Sequence, residues 1–243
     1  MVNIDVYEKI FNTVKEFLNP ILEIGFTKIE LKYSEFEPTL LVAFDTEGKS
    51  FGDYSALIVI PELDVSLYKN IFIEKVHDGY EYLFEVPYIY ENEDGLLEKR
   101  YKMYDFAPII ECIESTNDYN SDLSIDDKTL YVIVFLICHE FGHIIDSIIN
   151  SPNAVLDDIS NDLLRLFPKQ EKLVPFDERY LRDYRIIKNE ISMKKANLTK
   201  NRDSYSDEYY FKNLSDLDYK YREVDGEKVA DTYAANILDV LVL

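Results

Sequence analysis

Apolar positions along the chain change their period several times, and each change marks an element. Ile10, Val14, Phe17, Leu18 and Ile21 recur at helical spacing. Asp5-Val6-Tyr7-Glu8 has the form of a capping box, so a helix is expected to open there. Pro20 marks a kink or an earlier end, and Gly25 a stop. From Phe26 the period falls to two. Thr27, Ile29, Leu31 and Tyr33 alternate with Lys28, Glu30 and Lys32, as in a half-buried strand. Residues 39–44 and 56–60 are two further strands, separated by turn residues at Glu47-Gly48 and Gly52-Asp53, with Pro61 closing the second. Asp78-Gly79 predicts a tight hairpin joining residues 71–77 to 80–86. A longer hairpin is expected between residues 88–90 and 97–104, around Glu91-Asn92-Glu93-Asp94-Gly95.

Beyond residue 105 the pattern turns helical. Residues 106–114 predict a short helix and 115–122 a polar linker. Ser124, with Asp127 three positions on, caps a helix that runs through the long apolar stretch 130–149. That stretch is apolar on nearly every face up to Cys138, so its helix should lie at the centre of the molecule. Residues 157–167 and 177–197 read as charged helices separated by Pro168 and Pro175. A polar break at 199–207 and a Tyr-rich segment from Tyr209 follow. The last helix is expected to begin at Asp225 or Gly226, with Val229, Ala230, Tyr233, Ala234, Ile237 and Leu238 as its apolar face. The class is therefore α+β: an N-terminal helix with a small antiparallel or mixed sheet over residues 1–122, then a mainly helical lobe over 123–243.

Within the central helix stands His139-Glu140-Phe141-Gly142-His143, which holds two of the three histidines of the chain. Residues four apart share a helix face, so both imidazoles can reach one cation. Glu140, one position round, can hydrogen-bond a water on that cation without being a ligand. This is the arrangement of a zinc hydrolase, which needs a third protein ligand and an open position. A further His on the same helix would have to stand at 149, where the chain has Ile149. A Glu from the last helix is the alternative. Glu227 and Asp231 lie on one face there, beside Ala230 and Ala234, which are small enough for close approach. Glu227 can bind the metal and Asp231 can accept the free ring N–H of a ligand histidine. Glu223 and Asp225 stand close by as competing carboxylates. His77 reads as an exposed strand residue, and Cys138, pointing away round the helix, as core.

Composition narrows the partners. The formal charge of −21 and pI near 4.5 argue against nucleic acid and against anionic membranes, and leave a basic partner open. The N-terminus carries no basic region followed by an apolar core, and the apolar run 130–138 is too short to span a bilayer. The only cysteines, Cys112 and Cys138, fit free thiols in a reducing cytoplasm.

The combination of motifs resembles the thermolysin-like zincins, or gluzincins, and more closely the ImmA/IrrE-type metallopeptidases. Those carry an H-E-x-G-H helix and a later E-x-x-A-x-x-F-A helix, matched by His139–His143 and by Glu227-x-x-Ala230-Asp231-x-Tyr233-Ala234. The resemblance implies a single zincin-like catalytic domain acting on a protein, plausibly a regulator. It implies His139, His143 and Glu227 as ligands of one zinc, Glu140 as general base, and a sheet edge offered to substrate. Tyr233 stands where Phe is usual, and no helix-turn-helix is apparent. Glu227 follows His143 by 84 positions, so residues 152–221 read as an insertion or lid. An oxyanion donor is also needed, with Tyr205, Tyr209, Tyr210, Tyr219 and Tyr221 as candidates. The rival reading is a non-catalytic, zinc-clasped acidic protein that binds a basic partner, with Asp146 or Glu223 closing the metal's fourth position.

Overall fold

A computed structural model describes residues 4–73, 80–116, 119, 122–151 and 178–241. The class is α+β: an N-terminal helix, two small sheets, then a helical half. Helix α1 (Ile4–Gly25) buries Tyr7, Ile10, Phe11, Val14, Leu18, Ile21 and Leu22 and runs through Pro20 to Gly25. Asp5 sits in its first turn.

Strands β1 (Phe26–Ser34), β2 (Leu41–Asp45) and β3 (Tyr54–Pro61) form one sheet in the order β1-β3-β2. Of the antiparallel or mixed sheet expected, the mixed form is found: β3 pairs with β2 antiparallel but with β1 parallel. Alternation along a strand fixes which face is buried and carries no information on the partner's direction. A second sheet pairs β4 (Leu83–Glu91) with β5 (Leu97–Asp105). Its turn forms as expected: Asn92 accepts the N–H groups of Asp94 and Leu96, and Gly95 takes a positive φ of 74°.

One expected strand is overturned. Residues 71–73 belong to a short helix, α2 (Asn70–Ile73), that continues a 3-10 turn over Val65–Lys69. Asp64 caps that turn by accepting the Ser66 N–H, and this cap outweighs the β-branched content of the segment. His77 and the Asp78-Gly79 turn lie outside the described residues. So do the expected helix at 157–167 and Pro168 and Pro175.

Helix α3 (Ala107–Glu114) precedes α4 (Ile125–Ile149), which Ser124 caps by accepting the Asp127 N–H. As its apolar circumference implies, α4 is the spine of the core. It packs against α1, α3, the 3-10 turn and, most extensively, the last helix. Among the described residues it is the one helix long and apolar enough to cross a membrane, yet 78% of that apolar window is buried inside the protein. Helices α5 (Glu178–Lys200) and α6 (Asp207–Arg222) form a hairpin, the second of them unforeseen in the Tyr-rich segment. Helix α7 (Asp225–Val240) ends the described chain. The hairpin has its own apolar cluster of Leu198, Tyr210, Phe211 and Leu214, which takes in Leu83 from β4. It is also tied to β5 by polar contacts: Asp218 accepts the Asp105 N–H and pairs with Lys195, while Ser215 donates to Asp105.

The contact of α4 with α7 is set by one missing side chain. A Cβ at Gly142 would stand 2.7 Å from the Ala230 carbonyl oxygen and 2.8 Å from its Cα, both backbone atoms that cannot swing aside. Gly142→Ala should therefore destabilise the protein. Overpacking of about 1–3 kcal/mol outweighs the roughly 1 kcal/mol that Ala gains in helix propensity. A denaturation midpoint equal to the parent's would contradict this account of the interface.

Candidate metal centre

Close approach of α4 and α7 brings His139, His143 and Glu227 together, their ligand-type atoms within 4.8 Å of one another. His139 Nε2 lies 3.1 Å from His143 Nε2 and 3.2 Å from Glu227 Oε2, and His143 Nε2 lies 3.8 Å from the same oxygen. Four-residue spacing puts the two imidazoles on one face of α4, nearly perpendicular to one another at 84°. The same register on α7 points Glu227 and Asp231 back at them.

These donors fit a tetrahedral zinc. Ligand bonds of about 2.0–2.1 Å at tetrahedral angles imply donor separations of about 3.3 Å, and the observed edges of 3.1, 3.2 and 3.8 Å bracket that value. The surrounding groups support the same geometry. Asp231 Oδ1 lies 2.8 Å from His139 Nδ1. A carboxylate there can only accept, so it places a proton on Nδ1 and turns the Nε2 lone pair toward the cluster. Arg222 Nη1 donates to Asp231 Oδ1 at 2.8 Å and lies 3.2 Å from His139 Nδ1, so it holds the carboxylate beside the ring. Lys188 Nζ donates to Glu227 Oε1 at 2.8 Å, which leaves Oε2 as the oxygen facing both imidazoles.

Charge is strongly coupled here. Burial opposes a proton on His139 and so does Arg222, but the Asp231 and Glu227 carboxylates prevail and hold its pKa up to about 9. Burial would raise Glu227, yet its hydrogen bonds with His139 and His143 keep it well below the usual carboxylate range.

The rival carboxylates stand elsewhere. Glu223 caps the C-terminus of α6, is exposed, and lies 3.7 Å from Lys228, while Asp225 is also exposed. Asp146 accepts from Asn150, and burial pushes its pKa up to about 6. Among the described residues neither Glu223 nor Asp146 joins the three-residue cluster.

Glu140 is buried in α4 and lines a cleft of about 760 Å³ together with His139, His143 and Glu227. The edge strand β2 lines the same cleft through Leu41, Val42 and Phe44. Of the five tyrosines considered for an oxyanion, Tyr221 lines it. Tyr219 donates to Glu111, Tyr210 packs in the hairpin cluster, and Tyr205 and Tyr209 face each other at 4.9 Å. Sequence reasoning missed Arg222 and Lys188. Arg222 precedes α7 by three residues, a position legible only once Asp231 is seen to need a counter-charge. Lys188 lies on a helix whose docking no local pattern announces.

No protein-family model matches the chain, and no curated protein or solved structure matches it either.

Proposed function

We propose that the protein is a zinc-dependent metallopeptidase that hydrolyses peptide bonds of a protein substrate. One observation carries the reading: three convergent donors, His139, His143 and Glu227, share an open cleft with Glu140, a carboxylate outside the donor cluster. A structural zinc site has no use for such a group, whereas hydrolysis requires a base.

A zinc ion held by the three donors would act as a Lewis acid, polarising the scissile carbonyl and making water nucleophilic near neutral pH. Glu140 takes the proton from the attacking water on a carboxylate oxygen and delivers it to the departing amine nitrogen. Asp231 keeps His139 in the tautomer that can ligate, and Arg222 holds Asp231. Tyr221, at the cleft wall, would donate its O–H to the developing oxyanion. The exposed edge of β2 lets an extended substrate backbone add as a further strand across the cleft. Helices α5 and α6 supply the opposite wall through Lys188, Ser192, Lys195, Leu214 and Tyr221. Free thiols at Cys112 and Cys138 fit a reducing compartment such as the cytoplasm.

Zinc titration of metal-free protein tests the reading. We expect about one zinc per chain, abolished in the His139→Ala, His143→Ala double variant. His139 must give up a proton that it holds up to a pH of about 9. Apparent affinity should therefore rise with pH through neutrality, level off above about 9, and be accompanied by proton release. Stoichiometric zinc on the double variant would sink the assignment.

A further inference from the structure

The cleft carries the opposite charge to the protein around it. The chain has 47 Asp and Glu against 26 Lys and Arg. Yet six basic residues, Arg100, Lys102, Lys188, Lys195, Lys200 and Arg222, line the cleft against four acidic ones, Asp105, Glu140, Asp218 and Glu227. The placement is regular on both walls. Arg100, Lys102 and Tyr104 alternate along β5 and so share one face. Lys188, Ser192, Lys195 and Thr199 follow helical spacing and form one stripe of α5, a helix in which Lys and Arg outnumber Asp and Glu.

The walls meet at Tyr104. Lys102 Nζ stands 5.0 Å and Lys195 Nζ 4.9 Å from its ring centroid, so the ammoniums are no more than about 10 Å apart. Lys195 is paired with Asp218, but that carboxylate also holds the Asp105 N–H and is committed to joining the walls. Lys102 makes no ion pair among the described residues. Its ammonium is held below the usual lysine range, by removal from water first and then by Lys195, with Asp218 and Glu37 acting the other way. An arriving carboxylate would supply a counter-charge and offset the repulsion between the two ammoniums.

We propose that the cleft selects acidic segments, seating a Glu or Asp side chain of an extended peptide between Lys102 and Lys195 above the Tyr104 ring. This names the substrate class of the metallopeptidase reading, and its cleavage consequence rests on that reading. A peptide is favoured over a nucleic acid because a long polyanion would also meet the acidic surface outside the cleft, while one side chain meets only these lysines.

The test uses the zinc-loaded Glu140→Gln variant and three fluorescent peptides that differ only in a central Glu-Glu, Gln-Gln or Lys-Lys pair. Binding is followed by anisotropy at low and high salt. The Glu-Glu peptide should bind about tenfold more tightly than the Gln-Gln peptide, the order expected of two partly exposed charge pairs acting together, and salt should erode the difference. Adding Lys102→Glu should abolish the preference for Glu-Glu over Gln-Gln. Equal binding of the three peptides, a preference for Lys-Lys, or equally tight binding of oligothymidylate would overturn the proposal. Cleavage by the zinc-loaded parent separates the two claims. If Glu-Glu is preferred in binding but no peptide is cut, the peptidase reading falls and the acidic cleft stands. If cleavage occurs but is indifferent to the central pair, the peptidase stands and the acidic selection falls.

Discussion

Zinc-loaded Glu140→Gln is expected to fold and hold metal like the parent while peptide-bond cleavage drops at least about a hundredfold, the low end for losing a general base. The expectation follows from where Glu140 stands. It is buried in α4, lines the cleft, and lies outside the three-donor cluster. Gln fills the same space and can still hydrogen-bond, but it cannot take a proton from water. On the proposed reading, Glu140 should therefore matter to turnover and not to assembly. New protein termini in cells expressing parent against variant provide the readout, and no substrate has to be chosen for it. Cleavage that persists unchanged in the variant would remove Glu140 from the mechanism.

Glu227→Ala should weaken zinc binding by orders of magnitude, whereas Glu223→Ala should leave it nearly unchanged. The two residues are four positions apart in sequence, yet a helix boundary separates them. Glu223 ends α6 in solvent, and Glu227 opens α7 in the interior, 3.2 Å from His139. Asp231→Asn should fall between them, at about 10–100-fold, because it loosens the grip on the His139 ring without removing a ligand. It also takes a counter-charge from Arg222, as Glu227→Ala takes one from Lys188, so both variants should combine weaker zinc binding with a loss of stability that Glu223→Ala escapes. Zinc titration against a competing chelator ranks the three. A Glu223→Ala variant that loses zinc would show that the register of α7 is wrong.

What is legible in the sequence is whatever depends on neighbours along the chain. The Ser124 cap, the shared face of His139 and His143, the start of α7 and the inward register of Glu227 and Asp231 all follow from helical periodicity. Features set between distant segments stay hidden. The parallel pairing of β1 with β3, the contact of Gly142 with Ala230, and the reach of Lys188 and Arg222 into the centre have no local signature. Helix α2 escapes a sequence reading for a related reason: Val65–Ile73 is rich in β-formers, but the Asp64 cap starts a turn that the chain continues.

The burial of α4 on all sides sets its chemistry against its architecture. A helix enclosed by packed side chains is most content when every position is apolar, and at 139, 140 and 143 this one carries groups that the interior penalises unless they find partners. His139 and Glu227 lean on each other, Asp231 leans on Arg222, and Glu140 looks into the cleft. Each of these concessions is local frustration, gathered where one turn of the buried α4 meets α7. Apolar replacements there would relieve that frustration, so on the proposed reading the motif records a demand that folding by itself would not have made.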